Sequence, residues 1–95
     1  MEIVWSPDAV ADLAELREHI AADNPKAVIR MVQRIIDVVE TLLTTQPAMG
    51  RPGRVAGTRE LMIAQTPYLV PYRIRDDRIE IIRMYHSARK WPERL

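Results

Sequence analysis

The stretch "YLVPYRIRDDRIEIIRMYH", residues 68–86, decides the fold. Tyr68, Val70, Tyr72 and Ile74 alternate with Leu69, Pro71 and Arg73, the period of a half-buried strand. The following run "RIEIIRMYH" (78–86) predicts a second strand. "RDDR" (75–78) joins the two so tightly that they must form a hairpin. Pro71 cannot donate to a ladder, so it predicts either an edge-like position or a local bulge.

Upstream, "TRELMIA" (58–64) reads as a further strand, reached through "QPAMGRPGR" (46–54), the Pro- and Gly-rich loop where helices give way to strands. Before that loop Val28, Met31, Val32, Ile35, Ile36, Val39, Leu42 and Leu43 trace one apolar stripe at helical spacing. An earlier helix begins at "SPD", with Ser6 as cap, Pro7 in the first position and Asp8 at the positive helix end. Val10, Leu13, Leu16 and Ile20 are its apolar positions, and "DNP" caps the second helix through Asn24 and Pro25. With "EIVW" (2–5) as an opening strand, the architecture is α+β, in the order β-α-α-β-β-β. A helical hairpin packs on one face of a small, mainly antiparallel sheet, in a single domain spanning residues 1–95. The other sheet face is left open, the natural place for a partner or substrate.

Hydrophobic residues make up 47% of the chain and charged residues 28%, as in a soluble globular domain rather than a disordered one. Cysteine is absent, which excludes disulfides, a thiolate nucleophile and zinc–thiolate sites. Two distant histidines have no ligand spacing, so neither a metal nor a cofactor is expected. His19, four residues after Glu15, reads as part of a solvated helix face, and Glu80 as a solvent-facing strand residue. No membrane span or secretory signal is read, and the expected location is cytoplasmic. The net charge of +1 is unevenly spread, with −4 on residues 1–50 and +5 on residues 51–95. Nine of the ten cations in the second half are arginines, whose planar fork suits phosphates and carboxylates. That half is expected to present a basic surface to an anionic partner.

Four pieces occur in an order that resembles the RelE/ParE superfamily of bacterial type II toxins. They are "SPDAVADLAEL" (6–16), "GRPGRVAGTREL" (50–61), "PYLVPYRI" (67–74) and "IEIIRMYHSARKWP" (79–92). The resemblance implies a growth-inhibiting toxin paired with a cognate antitoxin, in a toxin–antitoxin hetero-oligomer. The antitoxin would lay a helix or strand over the open sheet face or the helix-hairpin groove. The expected mechanism is that of RelE-like members, which bind the ribosome and cut mRNA, a metal-independent endoribonuclease activity. The alternative is that of ParE-like members, which inhibit DNA gyrase without nuclease activity. A degenerate, non-toxic antitoxin-binding protein is a third reading.

RNA cleavage requires activation of the 2′-OH, stabilisation of the phosphorane charge and protonation of the leaving oxygen. Carried over from the RelE-like pattern, one arginine falls on Arg89, and His86 matches the histidine that other members place at the end of the last strand. The family's central-strand arginine falls on Leu69, and its C-terminal tyrosine falls near Leu95. Arg73 shares a strand face with Leu69 but lies about 13 Å along it, and Arg59 could substitute only from a favourable register. His86, Arg89, Arg59 and Arg73 are thus the catalytic candidates if the toxin is a nuclease. Tyr85 should point to the face opposite His86. Trp91 and Pro92 are expected to pack back on the domain.

Overall fold

The computed structural model describes residues 1–21 and 24–86, with residues 19–21 described by their backbone alone. The elements are β1 (Glu2–Trp5), α1 (Pro7–Ala21), α2 (Pro25–Thr45), β2 (Arg51–Pro52), β3 (Arg59–Met62), β4 (Tyr68–Arg75), β5 (Arg78–Ile81) and β6 (Tyr85–His86). The strands form one mixed sheet in the order β1-β5-β4-β3-β2, with β6 pairing to β4 beyond the end of β5. β1 runs parallel to β5, and the other pairings are antiparallel. The expected α+β architecture is therefore present, with two additions. The Pro/Gly loop contributes the two-residue β2, and the last strand is broken into β5 and β6.

Both helices start where their caps predict. The Ser6 hydroxyl accepts the Ala9 N–H at 3.0 Å, and the Asn24 side chain accepts the Ala27 N–H at 3.2 Å. α2 buries Val28, Ile35, Val39 and Leu43, one edge of its predicted stripe, each removed from water for about 1.5–3 kcal/mol. α1 differs from expectation, because it buries Ala9, Asp12 and Leu16 while Val10 stays 53% exposed. At 100° per residue Val10 lies roughly a quarter-turn from the centre of Ala9, Leu13 and Leu16. The small Ala9 takes the central place instead. These side chains close over Leu61, Ile63, Val70, Tyr72, Ile79, Ile81 and Met84 to form the core.

The hairpin turn is as tight as "RDDR" required. Arg75 pairs with Arg78, and Asp76 and Asp77 both adopt positive φ, 52° and 57°, the conformation of a type I′ turn. Further along, the register changes. Tyr72 pairs with Ile81, but Leu69 pairs with Tyr85, so Val70 and Pro71 on β4 face Ile82, Arg83 and Met84. One extra residue makes a β-bulge. β4 is a central strand, so the edge reading of Pro71 fails and the bulge reading holds. The Pro71 carbonyl accepts the Ile82 N–H at 3.0 Å. The missing Pro71 N–H faces the same side, because N–H and C=O of one antiparallel residue point together.

Cross-strand partners share a face, which places Tyr68, Val70, Tyr72 and Arg59 toward the helices and Leu69, Pro71, Arg73 and Glu60 away from them. The outer face is not uniformly open as expected. Glu60, Leu69, Pro71 and Tyr85 are buried there, while Arg73, Arg75 and Arg78 are exposed. Glu60 draws the loop over itself, its carboxylate accepting the Arg54 N–H at 2.8 Å and meeting the Arg51 guanidinium at 3.2 Å.

Candidate functional site at the C-terminal edge

His86 ends β6, paired with Tyr68 and exposed to solvent. Its imidazole meets the Tyr68 ring edge-on, with centroids 5.5 Å apart. Burial pushes the Tyr68 phenol above its ordinary pKa, so that ring offers a neutral hydroxyl rather than a base. Tyr85 pairs with Leu69 on the opposite face, as strand alternation predicts. The Arg83 guanidinium carbon lies 5.1 Å from the Tyr85 ring centroid, a cation–π contact. The same guanidinium binds the Asp12 carboxylate in a paired fork, at 2.9 and 3.0 Å. Those hydrogen bonds hold the Arg83 pKa above its ordinary value, against desolvation that pulls it down.

The other candidates lie elsewhere. Arg59 points to the helix side of the sheet, where its Nη1 donates to the carbonyls of Gly50 at 2.8 Å and Ala48 at 3.2 Å. Arg73 is on the outer face, its Nε 2.7 Å from Glu80. Glu80 is thus an ion-pair partner, and hydrogen bonding from Arg73 lowers its carboxyl pKa. Arg59, Arg73 and His86 do not converge: Arg59 and His86 share a face but pair with β4 four residues apart, and Arg73 is on the reverse. Leu69 sits in an apolar row with Met62 and Tyr85. Arg89, Trp91 and Pro92 lie outside the described residues, as does the His19 side chain. Among the described residues, no cluster of three or more acidic or histidine side chains could hold a metal ion.

Asp12 and Glu60 escape the sequence reading. Both are acidic and nearly buried, at 8% and 3% exposure. Asp12 had a signal, since it lies between Ala9 and Leu16 on the side of α1 that the apolar residues define. Glu60 had none beyond the arginines of the preceding loop.

A two-helix hairpin on a mixed sheet of this topology is the fold of small RelE/ParE toxins. The chain belongs to the family described as the ParE toxin of the type II toxin–antitoxin system parDE, whose model matches residues 3–91. It is 43% identical over 93 residues to the putative toxin Y4kP of Sinorhizobium fredii, covering 98% of this chain and 95% of that protein. It is 34% identical to toxin RelE2 of Caulobacter vibrioides over 88 residues, 93% of this chain and 97% of that one. Among solved structures, a chain of the chromosomal ParDE toxin–antitoxin system from P. aeruginosa superposes with a TM-score of 0.83 at 30% identity, covering 90% of this chain and 95% of that chain. A chain of the toxin–antitoxin complex RelBE2 from Mycobacterium tuberculosis shares the fold, with a TM-score of 0.67 at 22% identity and the same coverage. The protein is a type II toxin of the RelE/ParE superfamily. No helix among the described residues is long and apolar enough to cross a membrane.

Proposed function

We propose that this toxin inhibits growth by binding DNA gyrase in the ParE manner, and that a cognate antitoxin neutralises it by covering its surface. The observation that carries the reading is the dispersal of the arginines that RNA cleavage would use. Arg59 is committed to loop carbonyls on the helix side, Arg73 to Glu80 on the other, and Leu69 occupies the position of the central-strand arginine. Stabilising a phosphorane requires cationic donors aimed at one point, and a donor ~10 Å away contributes little. The match to the ParE family model adds weight. The antitoxin follows from that family and from the toxin–antitoxin systems of the structural neighbours. Both candidate targets are cytoplasmic, which sets the place of action.

The decisive experiment sets the free toxin against gyrase in a supercoiling assay and against mRNA in a translating extract. Blocked supercoiling with intact mRNA is the expected result. Ribosome-dependent mRNA cleavage without an effect on gyrase would overturn it. The second reading, an mRNA endonuclease, is favoured by the exposed His86 at the end of the sheet. On that reading His86 transfers the proton, with Arg89 as cation and Arg59 or Arg73 recruited on binding. His86→Ala and Arg89→Ala would then abolish cleavage, whereas on the gyrase reading neither changes the RNA profile.

A further inference from the structure

We propose that Asp12 is the positioning residue of the C-terminal edge. Its carboxylate, carried on α1, holds the bulge that docks β6 on β4 and so fixes the faces taken by Tyr85 and His86. The proposal goes beyond the gyrase reading and is independent of it.

The bulge creates a local deficit of hydrogen bonds. Pro71 has no N–H to offer the strand opposite, and the extra residue carries the Met84 N–H out of the ladder. Two side chains from the start of α1 make good the loss. The Ser6 hydroxyl donates to the Ile82 carbonyl at 2.7 Å, and Asp12 Oδ2 accepts the Met84 N–H at 2.9 Å. The same carboxylate grips both ends of the Arg83 fork, so three donors from two consecutive residues converge on one buried acid. A buried carboxylate is tolerated only when so satisfied.

Extending the β5 register without a bulge shows what this arrangement decides. Arg83 would stand opposite Val70, which is 0% exposed and part of the core, and Tyr85 rather than His86 would stand opposite Tyr68. The bulge reverses both. It leaves Arg83 at the margin, where Asp12 waits, turns Met84 into the core and sends Tyr85 outward. β6 is only two residues long and cannot hold this phase through its own ladder. Ser6 also donates its N–H to the Ile81 carbonyl at 3.0 Å, so the start of α1 and the end of β5 form one unit.

The test is NMR of the isotopically labelled full chain, reading Tyr68–His86 ring contacts and amide exchange. Asp12→Ala should remove the ring contact and speed Met84 amide exchange roughly 100-fold, while residues 72–81 keep their protection. Asp12→Asn retains an oxygen for the Met84 N–H and should restore the ring contact, a rescue that a general loss of stability would not give. An Ala variant that keeps the contact and a slow Met84 amide overturns the proposal, as does uniform loosening of the whole sheet. Equal damage from Asn and Ala overturns it too. Should the Ala variant not fold, the double change Asp12→Leu with Arg83→Leu fills the space without an acceptor. β6 is expected to detach there as well, and a docked β6 would refute the assignment.

Discussion

The Tyr72 phenol donates to the Pro47 carbonyl at 2.7 Å and accepts the Gly50 N–H at 2.8 Å, so one central-strand residue fastens the loop leaving α2. Tyr72→Phe should cost about 1–2 kcal/mol, because it leaves the buried Gly50 N–H without its acceptor. The midpoint of a urea titration measures this. Burial pushes the Tyr72 pKa above its ordinary value, with the Gly50 hydrogen bond and Arg59 pulling the other way. The unfolded tyrosine releases its proton near pH 10, before the folded one does, so stability is full below that pH and falls as pH rises past it. The fall should be shallower in Tyr72→Phe, as followed by denaturation between pH 8 and 11. Gly50 is required for a different reason. A Cβ there would stand 2.7 Å from the Tyr72 ring and hydroxyl and 2.9 Å from the Glu60 carbonyl. Gly50→Ala should destabilise by about 1–3 kcal/mol through forced displacement, visible as a lowered melting temperature. Residues whose side chains cap the backbone three positions on, Ser6 and Asn24, were legible in the sequence. Tyr72, Asp12 and Glu60 were not, since their partners lie 22 or more, 71 and 6 or more residues away across the fold.

At the scale of elements, the hairpin of β4 and β5 is set by its turn. Asp76 and Asp77 both occupy left-handed backbone, where a side chain costs energy that glycine does not incur. Asp77→Gly should therefore stabilise the domain by about 0.5–1 kcal/mol, read from the same urea midpoint. The sequence placed this hairpin and both helices because each is written in local periodicity and turn chemistry. It could not choose between an edge and a bulge for Pro71, because that choice depends on which strand lies beside it. The rotation of α1 likewise departs from its apolar pattern. Val10 is apolar, but it lies about a quarter-turn from the buried side of α1, where Ala9 sits.

At the scale of the whole described chain, three arginines of the second half are ion-paired. Arg51 meets Glu60, Arg73 meets Glu80, Arg83 meets Asp12, and Arg59 is spent on carbonyls. Arg75 and Arg78 face each other, exposed, at the hairpin end. Arg83–Asp12 joins the basic half to the acidic one, whereas Glu60 and Glu80 already count within the +5 of residues 51–95. With a net charge of only +1, binding to an arbitrary RNA oligomer should be weak, with a shallow dependence on salt. Fluorescence anisotropy across a salt series tests this. A steep slope, reporting release of many counterions, would favour the nuclease reading instead.

Sequence alone determined the α+β class, the order of the main elements, the helix starts and the tight hairpin. Each of these depends on residues within a turn or two of one another, so local sterics and hydrophobic period suffice. Tertiary structure alone decided the geometry of the candidate site. Whether Arg59 and Arg73 share a face, where His86 points, and which acid meets Arg83 depend on register. The β3–β4 pairing separates the two arginines, and the register of β6 is fixed by a single extra residue opposite Pro71 and by an aspartate on a helix 71 residues before its arginine.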